Sequence, residues 1–291
     1  MSGTAERIAI IKLNDEEIAM KTKITVITDN IPNGGLSGEW GLCLLVEYKD
    51  KKILVDAGAS DLFLTNMKEL GFETDDVDFA TLSHAHYDHA NGMPAFFQNN
   101  AKAKLYVRET TAADCYSRKW IFRIYIGIPK KMMETYRDRI EVVSGDCQLM
   151  DGAYLIPHKT EGLSAIGKRE NMYRKTASGW MADDFSHEQS LVLETDRGLL
   201  IINSCSHGGV ANIVDEIRRT FPDRKIYGYI GGFHLFNKTD EEIIRVAEGL
   251  KDIGLDYICT GHCTKDHAYA ILKEKLQDRM HQLRTGLIIE I

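Results

Sequence analysis

An apolar, strand-like run, Phe79–Ser83, leads directly into His84-Ala85-His86-Tyr87-Asp88-His89 and then Ala90-Asn91-Gly92. Three imidazoles and one carboxylate fall within six positions. Residues two apart at a strand end point the same way. Once the chain turns, the next pair approaches from another side. Imidazoles this close repel one another when protonated, so a divalent cation accounts for them better than solvent does. Imidazole nitrogen and carboxylate oxygen are donors that borderline-soft divalent cations favour. A fold for this chain must therefore end a strand here and turn sharply.

The rest of the 291 residues alternates strand-like and helix-like patterns. Lys23–Asp29 reads as a first strand, followed by a turn-rich loop from Asn30 to Gly38. Leu42–Tyr48 and Lys52–Val55, separated by Lys49-Asp50-Lys51, read as a hairpin that exits through Asp56-Ala57-Gly58. Leu62–Leu70 suits a helix stopped by Gly71. Further strands are expected near 103–107, 141–143, 153–156, 190–195, 198–203, 225–230 and 256–260. Helices are expected near 109–118, 131–138, 209–220, 240–253 and 266–279. This alternation predicts an α/β architecture. Residues 1–22 read as an N-terminal extension and 23–291 as one domain. Within that domain the stretch at about 115–185 stands out. It mixes Trp120, Phe122, Tyr125, Met172, Tyr173 and Trp180 with Lys168, Arg169, Arg174 and Lys175. It reads equally as a satellite core with a solvated basic rim or as a lid-like insertion over an active site.

Composition removes several classes. With 44% hydrophobic and 27% charged residues the chain can bury a substantial core. A net charge of −7 opposes general binding of a phosphate backbone, so no nucleic-acid partner is expected. No apolar run is long enough to span a bilayer, and no secretory signal is evident, so a soluble cytoplasmic protein is expected. Six cysteines without a CxxC pair read as reduced, mostly buried thiols.

His-x-His-x-Asp-His after a strand resembles the signature of the metallo-β-lactamase superfamily, and the resemblance covers about residues 23–280. It implies an αββα sandwich: two mixed β-sheets face to face, helices outside, metals at one edge. Asp56 matches an aspartate that orders the metal loop from behind. Glu39-Trp40-Gly41-Leu42, Ser204-Cys205-Ser206-His207-Gly208-Gly209, Gly231-Gly232-Phe233-His234-Leu235 and Thr260-Gly261-His262-Cys263-Thr264 look like one branch. That branch is named for 7,8-dihydropterin-6-methyl-4-(β-D-ribofuranosyl)aminobenzene-5′-phosphate synthase.

The resemblance implies further site residues. His262, after the strand near 256–260, matches the last metal histidine of the superfamily. His207 matches a metal position of the branch. His187 lies where much of the superfamily carries a metal histidine, so the two compete for one role, with His207 preferred. Cys205 stands where many relatives carry a bridging aspartate, and it reads as a ligand or as packing at a strand end. Asp183, Asp184 and Glu188 read as a solvated charge run. His234 reads as a substrate-contacting or proton-transferring group, or as a buried structural histidine. His158, His267 and His281 have no supporting context.

The expected function is a metal-dependent hydrolase acting through a metal-bound hydroxide on a small anionic, phosphate-containing substrate. Two divalent ions are expected, zinc first, with manganese or iron also fitting the donors. His84, His86 and His207 are expected to hold one metal, and Asp88, His89 and His262 the other. Asp88 and His234 are the candidate catalytic groups. The alternatives are a transferase joining a dihydropterin methyl diphosphate to an aryl amine, and a non-catalytic metal- or ligand-binding protein. The small-molecule substrate is the one partner expected, and a homo-oligomer is allowed.

Overall fold

The computed structural model describes residues 22–291. The expected N-terminal extension lies outside the described residues, Thr22 excepted. Two seven-stranded sheets pack face to face. The first runs, edge to edge, Ile288–Glu290, Lys23–Thr28, Cys43–Tyr48, Lys51–Val55, Phe79–Thr81, Lys104–Arg108 and Ile140–Val143. Its pairings are antiparallel up to Lys51–Val55 and parallel beyond. The second runs Met280–Gln282, Tyr257–Thr260, Ile226–Ile230, Gly198–Ile202, Gln189–Thr195, Ala153–Pro157 and Cys147–Met150. In it the first four strands are parallel and the rest antiparallel.

The strands are apolar on both faces because both faces are covered. Leu44, Val46, Ile53 and Val55 of the first sheet meet Leu155, Leu191, Leu193, Leu200 and Ile202 of the second. The alternate residues Cys43, Leu45 and Leu54 face outward onto Phe63, Met67 and Phe96, from the helices Leu62–Glu69 and Met93–Asn99. On the other side Val192, Leu199 and Ile201 meet Ile213, Ile217, Ala247 and Leu272. These belong to the helices Val210–Thr220, Asp240–Ile253 and Lys265–Leu276. The layers are therefore helix, sheet, sheet, helix, the expected αββα sandwich. Asp240–Ile253 shows how locally its ends are set. Thr239 and Glu242 form a reciprocal capping box, and Gly254 closes the helix in the left-handed region. Among the described residues, no helix is long and apolar enough to cross a membrane.

A third sheet of four strands, Gly179–Ala182, Met172–Thr176, Asp114–Lys119 and Phe122–Tyr125, stands beside the sandwich. Only the two ends of the 115–185 stretch build it. The strands Ile140–Val143, Cys147–Met150 and Ala153–Pro157 between them belong to the main sheets. The helix expected over 109–118 is corrected: a 3-10 turn over Glu109–Ala112 leads into the strand Asp114–Lys119. Cys115 and Tyr116 pair there with Arg174 and Tyr173, distant in sequence, and this pairing overrides local propensity. The helix expected over 131–138 shrinks to Met132–Thr135 plus a 3-10 turn.

The loop after Lys51–Val55 is clamped against the histidine segment. The N–H of Ala57 donates to the His89 carbonyl, and the N–H of Asp56 to that of Thr81. A Cβ on Gly92 would lie 2.1 Å from the Ala57 carbonyl oxygen and 2.6 Å from that of Ser60. Both are backbone atoms and cannot swing aside. Gly92→Ala is expected to cost about 1–3 kcal/mol through this overpacking, read as a lower thermal midpoint. A midpoint equal to the wild type would show that the clamp is loose.

Candidate metal centre

The first four site residues follow the short strand Phe79–Thr81, whose chain turns through Ser83–His86 into one helical turn, Tyr87–Ala90. The remaining donors arrive from the neighbouring sheet. Cys205 and His207 follow Gly198–Ile202, His234 follows Ile226–Ile230, and His262 and Cys263 follow Tyr257–Thr260. These three strands are adjacent and parallel, so their carboxyl ends open on one edge.

Six residues chosen from the sequence form two buried triads. His84, His86 and His207 place donor atoms within 4.8 Å of one another, as do Asp88, His89 and His262. In the first triad His86 Nδ1 and His207 Nε2 face each other at 3.1 Å, and His84 Nε2 has no hydrogen-bond partner. Burial first, and the surrounding imidazoles second, push His84 and His207 well below the usual histidine range. Burial and His187 take His86 down to about 3. All three are thus held toward their neutral forms, with one donor nitrogen of each within 4.8 Å of the others.

In the second triad His89 Nε2 lies 3.2 Å from His262 Nε2, and Asp88 Oδ2 lies 3.5 Å from His262 Nε2 and 3.7 Å from His89 Nε2. Burial alone would raise the Asp88 carboxyl, but His89 and His262 outweigh it and hold the group below the usual carboxylate range. Burial likewise opposes charge on His262, yet Cys263 and Asp88 raise it to about 9. Asp88 and His262 therefore make a spot that holds positive charge, which a divalent cation suits as well as a proton does.

Polar side chains behind the triads fix which nitrogen faces inward. Asp56, fully buried, accepts from Ser83 N–H at 2.7 Å, from Ser83 Oγ at 2.6 Å and from His89 Nδ1 at 2.8 Å. Because His89 Nδ1 carries that proton, its Nε2 lone pair points into the site. Ser83 gives its only proton to Asp56, so His84 Nδ1 must donate to Ser83 Oγ at 2.8 Å, again freeing Nε2. Asn30 Oδ1 faces His262 Nδ1 at 3.2 Å, and Asp29 accepts the His262 backbone N–H. In the sequence Asp29 reads only as the end of the first strand and Asn30 as the start of a loop, and nothing local links them to His262.

His187 is placed differently from His207. Its Nδ1 accepts the Ala85 N–H at 3.1 Å and its Nε2 meets Asp183 at 3.1 Å. Asp183 raises its proton affinity against the effect of burial. The Ala85 N–H nevertheless requires a lone pair at Nδ1, which the neutral Nε2–H tautomer supplies. A ring nitrogen of His187 also lies within 4.8 Å of donor atoms of His86, Cys115 and Asp183, a group that shares His86 with the first triad.

The charge run over 183–188 is corrected in part. Asp183 and Glu188 are fully buried. Glu188 accepts the backbone N–H groups of His207 at 2.9 Å and Gly208 at 3.0 Å. It also pairs with His158, which in turn contacts Glu216. His158 thus has a context that its sequence neighbourhood did not reveal. Arg174, read as part of a basic rim, is buried and clamped by Asp183, Asp184 and Ser186.

His234 lies across from His207, ring centroids 4.3 Å apart, and neither of its nitrogens has a hydrogen-bond partner. The centre opens on a cavity of about 150 Å³ walled by Trp40, Tyr87, Met172, His234 and Phe236 among others. Ser117 and Met172 bring the small sheet to its rim.

Comparison with known proteins agrees with this fold. The sequence pattern of the metallo-β-lactamase superfamily matches residues 41–169. The chain is 27% identical to the 7,8-dihydropterin-6-methyl-4-(β-D-ribofuranosyl)-aminobenzene-5′-phosphate synthase of Methanocaldococcus jannaschii, over 89% of this chain and 92% of that protein. Its structure is similar to the crystal structure of Tm1679, a metal-dependent hydrolase of the β-lactamase superfamily. The TM-score is 0.80 with 26% identity, over 93% of this chain and 99% of the other. A diphosphatase of the PhnP family shares the fold at a TM-score of 0.55 and 15% identity, over 94% and 98% of the two chains. A sandwich of this topology, with its histidine-rich edge at the ends of parallel strands, gives the chain the metallo-β-lactamase fold, and residues 41–169 carry the pattern of that superfamily.

Proposed function

We propose that the chain is a metal-dependent hydrolase of a small anionic, phosphate-containing substrate. The observation that carries the reading is the pair of buried triads facing one small cavity. His84, His86 and His207 would hold one cation, and Asp88, His89 and His262 a second, with zinc the expected metal. The orphaned His84 Nε2 and the clustered imidazoles, held toward their neutral forms, fit such ions. When bound, divalent cations supply Lewis acidity at the reacting oxygen and a water acidic enough to attack at neutral pH.

The chain's own groups supply the rest. Asp88, ionised and at the cavity wall, orients the attacking water and accepts its proton. His234, with both nitrogens unengaged, hands a proton to the leaving group. Arg169 and Lys238 line an adjoining cavity of about 110 Å³ together with His207 and His234. They offer positive charge to a substrate anion, although Glu170 pairs with both. The test is chelation followed by zinc or manganese reconstitution, assayed on phosphomonoesters, phosphodiesters and lactones. Turnover that disappears with chelator and returns with metal supports the reading; a reconstituted protein inert across the panel ends it.

A second reading, a pterin-linked transferase, draws support from the name of the 27% identical relative and from the aromatic wall of Trp40, Tyr87 and Phe236. Incubation with a dihydropterin methyl diphosphate and an aryl amine separates the two. Diphosphate released only when the amine is present marks the transferase.

A further inference from the structure

One group of donors beside the two triads has no part in the reaction proposed above beyond His234. Cys205, His234 and Cys263 place Sγ, a ring nitrogen and Sγ within 4.8 Å of one another. They are 2%, 9% and 1% exposed. Each sits just past the end of one of three adjacent parallel strands, so the sheet itself brings them together. His234 is nine-tenths buried, yet Nδ1 and Nε2 both lack a hydrogen-bond partner. An imidazole buried that way costs free energy unless something ligates it. The thiols are weakly engaged. Cys263 Sγ accepts the His234 backbone N–H at 3.2 Å and donates toward the Cys205 carbonyl at 3.8 Å. Cys205 Sγ lies 3.3 Å from His89 Nε2. A Cβ on Gly232 would lie 2.5 Å from Cys263 Sγ and 2.7 Å from the Ser204 carbonyl, so glycine there makes room for the thiol.

We propose that Cys205, His234 and Cys263 form a third cation site, built for a thiophilic divalent ion such as zinc, iron or cobalt and discriminating against magnesium. Two sulfurs and one imidazole nitrogen are a donor set that borderline-soft cations take and hard ones refuse. As thiolates the two cysteines balance the charge of one such ion, and binding releases their protons to solvent. Cys205 also shares a cluster with His84 and His89, so its sulfur bridges this site to the triads.

The inference concerns metal binding alone, so it survives if the hydrolase reading fails, and the reverse also holds. The test is cobalt(II) titration of the reduced full chain. Expected are a third equivalent of bound metal and a near-ultraviolet thiolate-to-cobalt charge-transfer band. C263S should remove about half of that band and one equivalent, and H234A one equivalent. A band unchanged in C263S, or two equivalents in the wild type, overturns the proposal. Cadmium NMR of the unaltered chain needs no variant to fold. A resonance at the position of two-sulfur coordination supports the site. Resonances showing only nitrogen and oxygen donors, or a single sulfur, refute it.

Discussion

On the proposed hydrolase reading, Asp88→Asn is expected to lower kcat/KM by roughly 10²–10⁴-fold on the ester or lactone substrate. The expectation comes from what surrounds the carboxylate. Asp88 Oδ2 lies 3.5 Å from His262 Nε2 and 3.7 Å from His89 Nε2, and only 8% of the residue is exposed. An amide there cannot accept the proton of an attacking water. If its nitrogen takes the Oδ2 position, it points N–H groups at a spot suited to a cation. Loss of one carboxylate charge also leaves His89 and His262 as the only donors of their triad. Metal analysis should therefore show the variant holding about one equivalent less than the wild type. Far-ultraviolet circular dichroism should be unchanged, because the bond that ties this turn to the neighbouring strand, from the Leu42 N–H to the Asp88 carbonyl at 3.3 Å, is made by the backbone and not by the carboxylate. Turnover within tenfold of the wild type with full metal content would falsify the assigned role.

The cluster of candidate donors around Asp88 was legible in the sequence because its signal is local. Four donors sit within six residues, and the strand before them fixes their direction. The α/β architecture was legible in the alternation of strand-like and helix-like runs, and the αββα layering followed from the family resemblance; the runs Leu42–Tyr48 and Gly198–Ile202 are apolar on both faces, as strands covered on both sides must be. What the sequence hid depends on distant partners. Asp183 and Glu188 look like solvated charge until Arg174 and His158 arrive from other strands and loops. Asn30 reaches His262 across more than two hundred residues. The Asp114–Lys119 strand exists because Met172–Thr176 pairs with it, and no periodicity within 109–118 announces that. Local pattern thus revealed the donors, whereas the groups that orient them depend on tertiary contacts.

His158 gives the sharpest case, and its replacement should be the most destabilising of the changes considered. The ring lies between two buried carboxylates, 2.5 Å from Glu188 Oε2 and 3.0 Å from Glu216 Oε2, with 5% of its side chain exposed. Glu216 in turn accepts the N–H groups of Lys159 and Thr160. Removing the cation strands two negative charges in the interior. His158→Gln is therefore expected to cost about 3–5 kcal/mol, the range for breaking a buried pair from one side. The pH dependence identifies the cause. Burial opposes the charge on His158, but the two glutamates raise it to about 9, against roughly 6.5 in an unfolded chain. Its contribution is complete below about pH 6.5 and declines as pH rises through 9, on the order of 3 kcal/mol in all. Glu188 and Glu216 are held below their ordinary range despite burial, so their contribution disappears instead as pH falls below about 4.5. The wild type should thus lose stability in denaturant melts between pH 7 and 9.5, and H158Q should show a flatter slope over that window. Because Glu188 also holds the His207 and Gly208 N–H groups, H158Q should bind zinc more weakly even at temperatures where it remains folded. Equal stability and an equal pH slope in the two proteins would mean that the buried histidine is neutral and that the loop carrying His207 is held by other contacts.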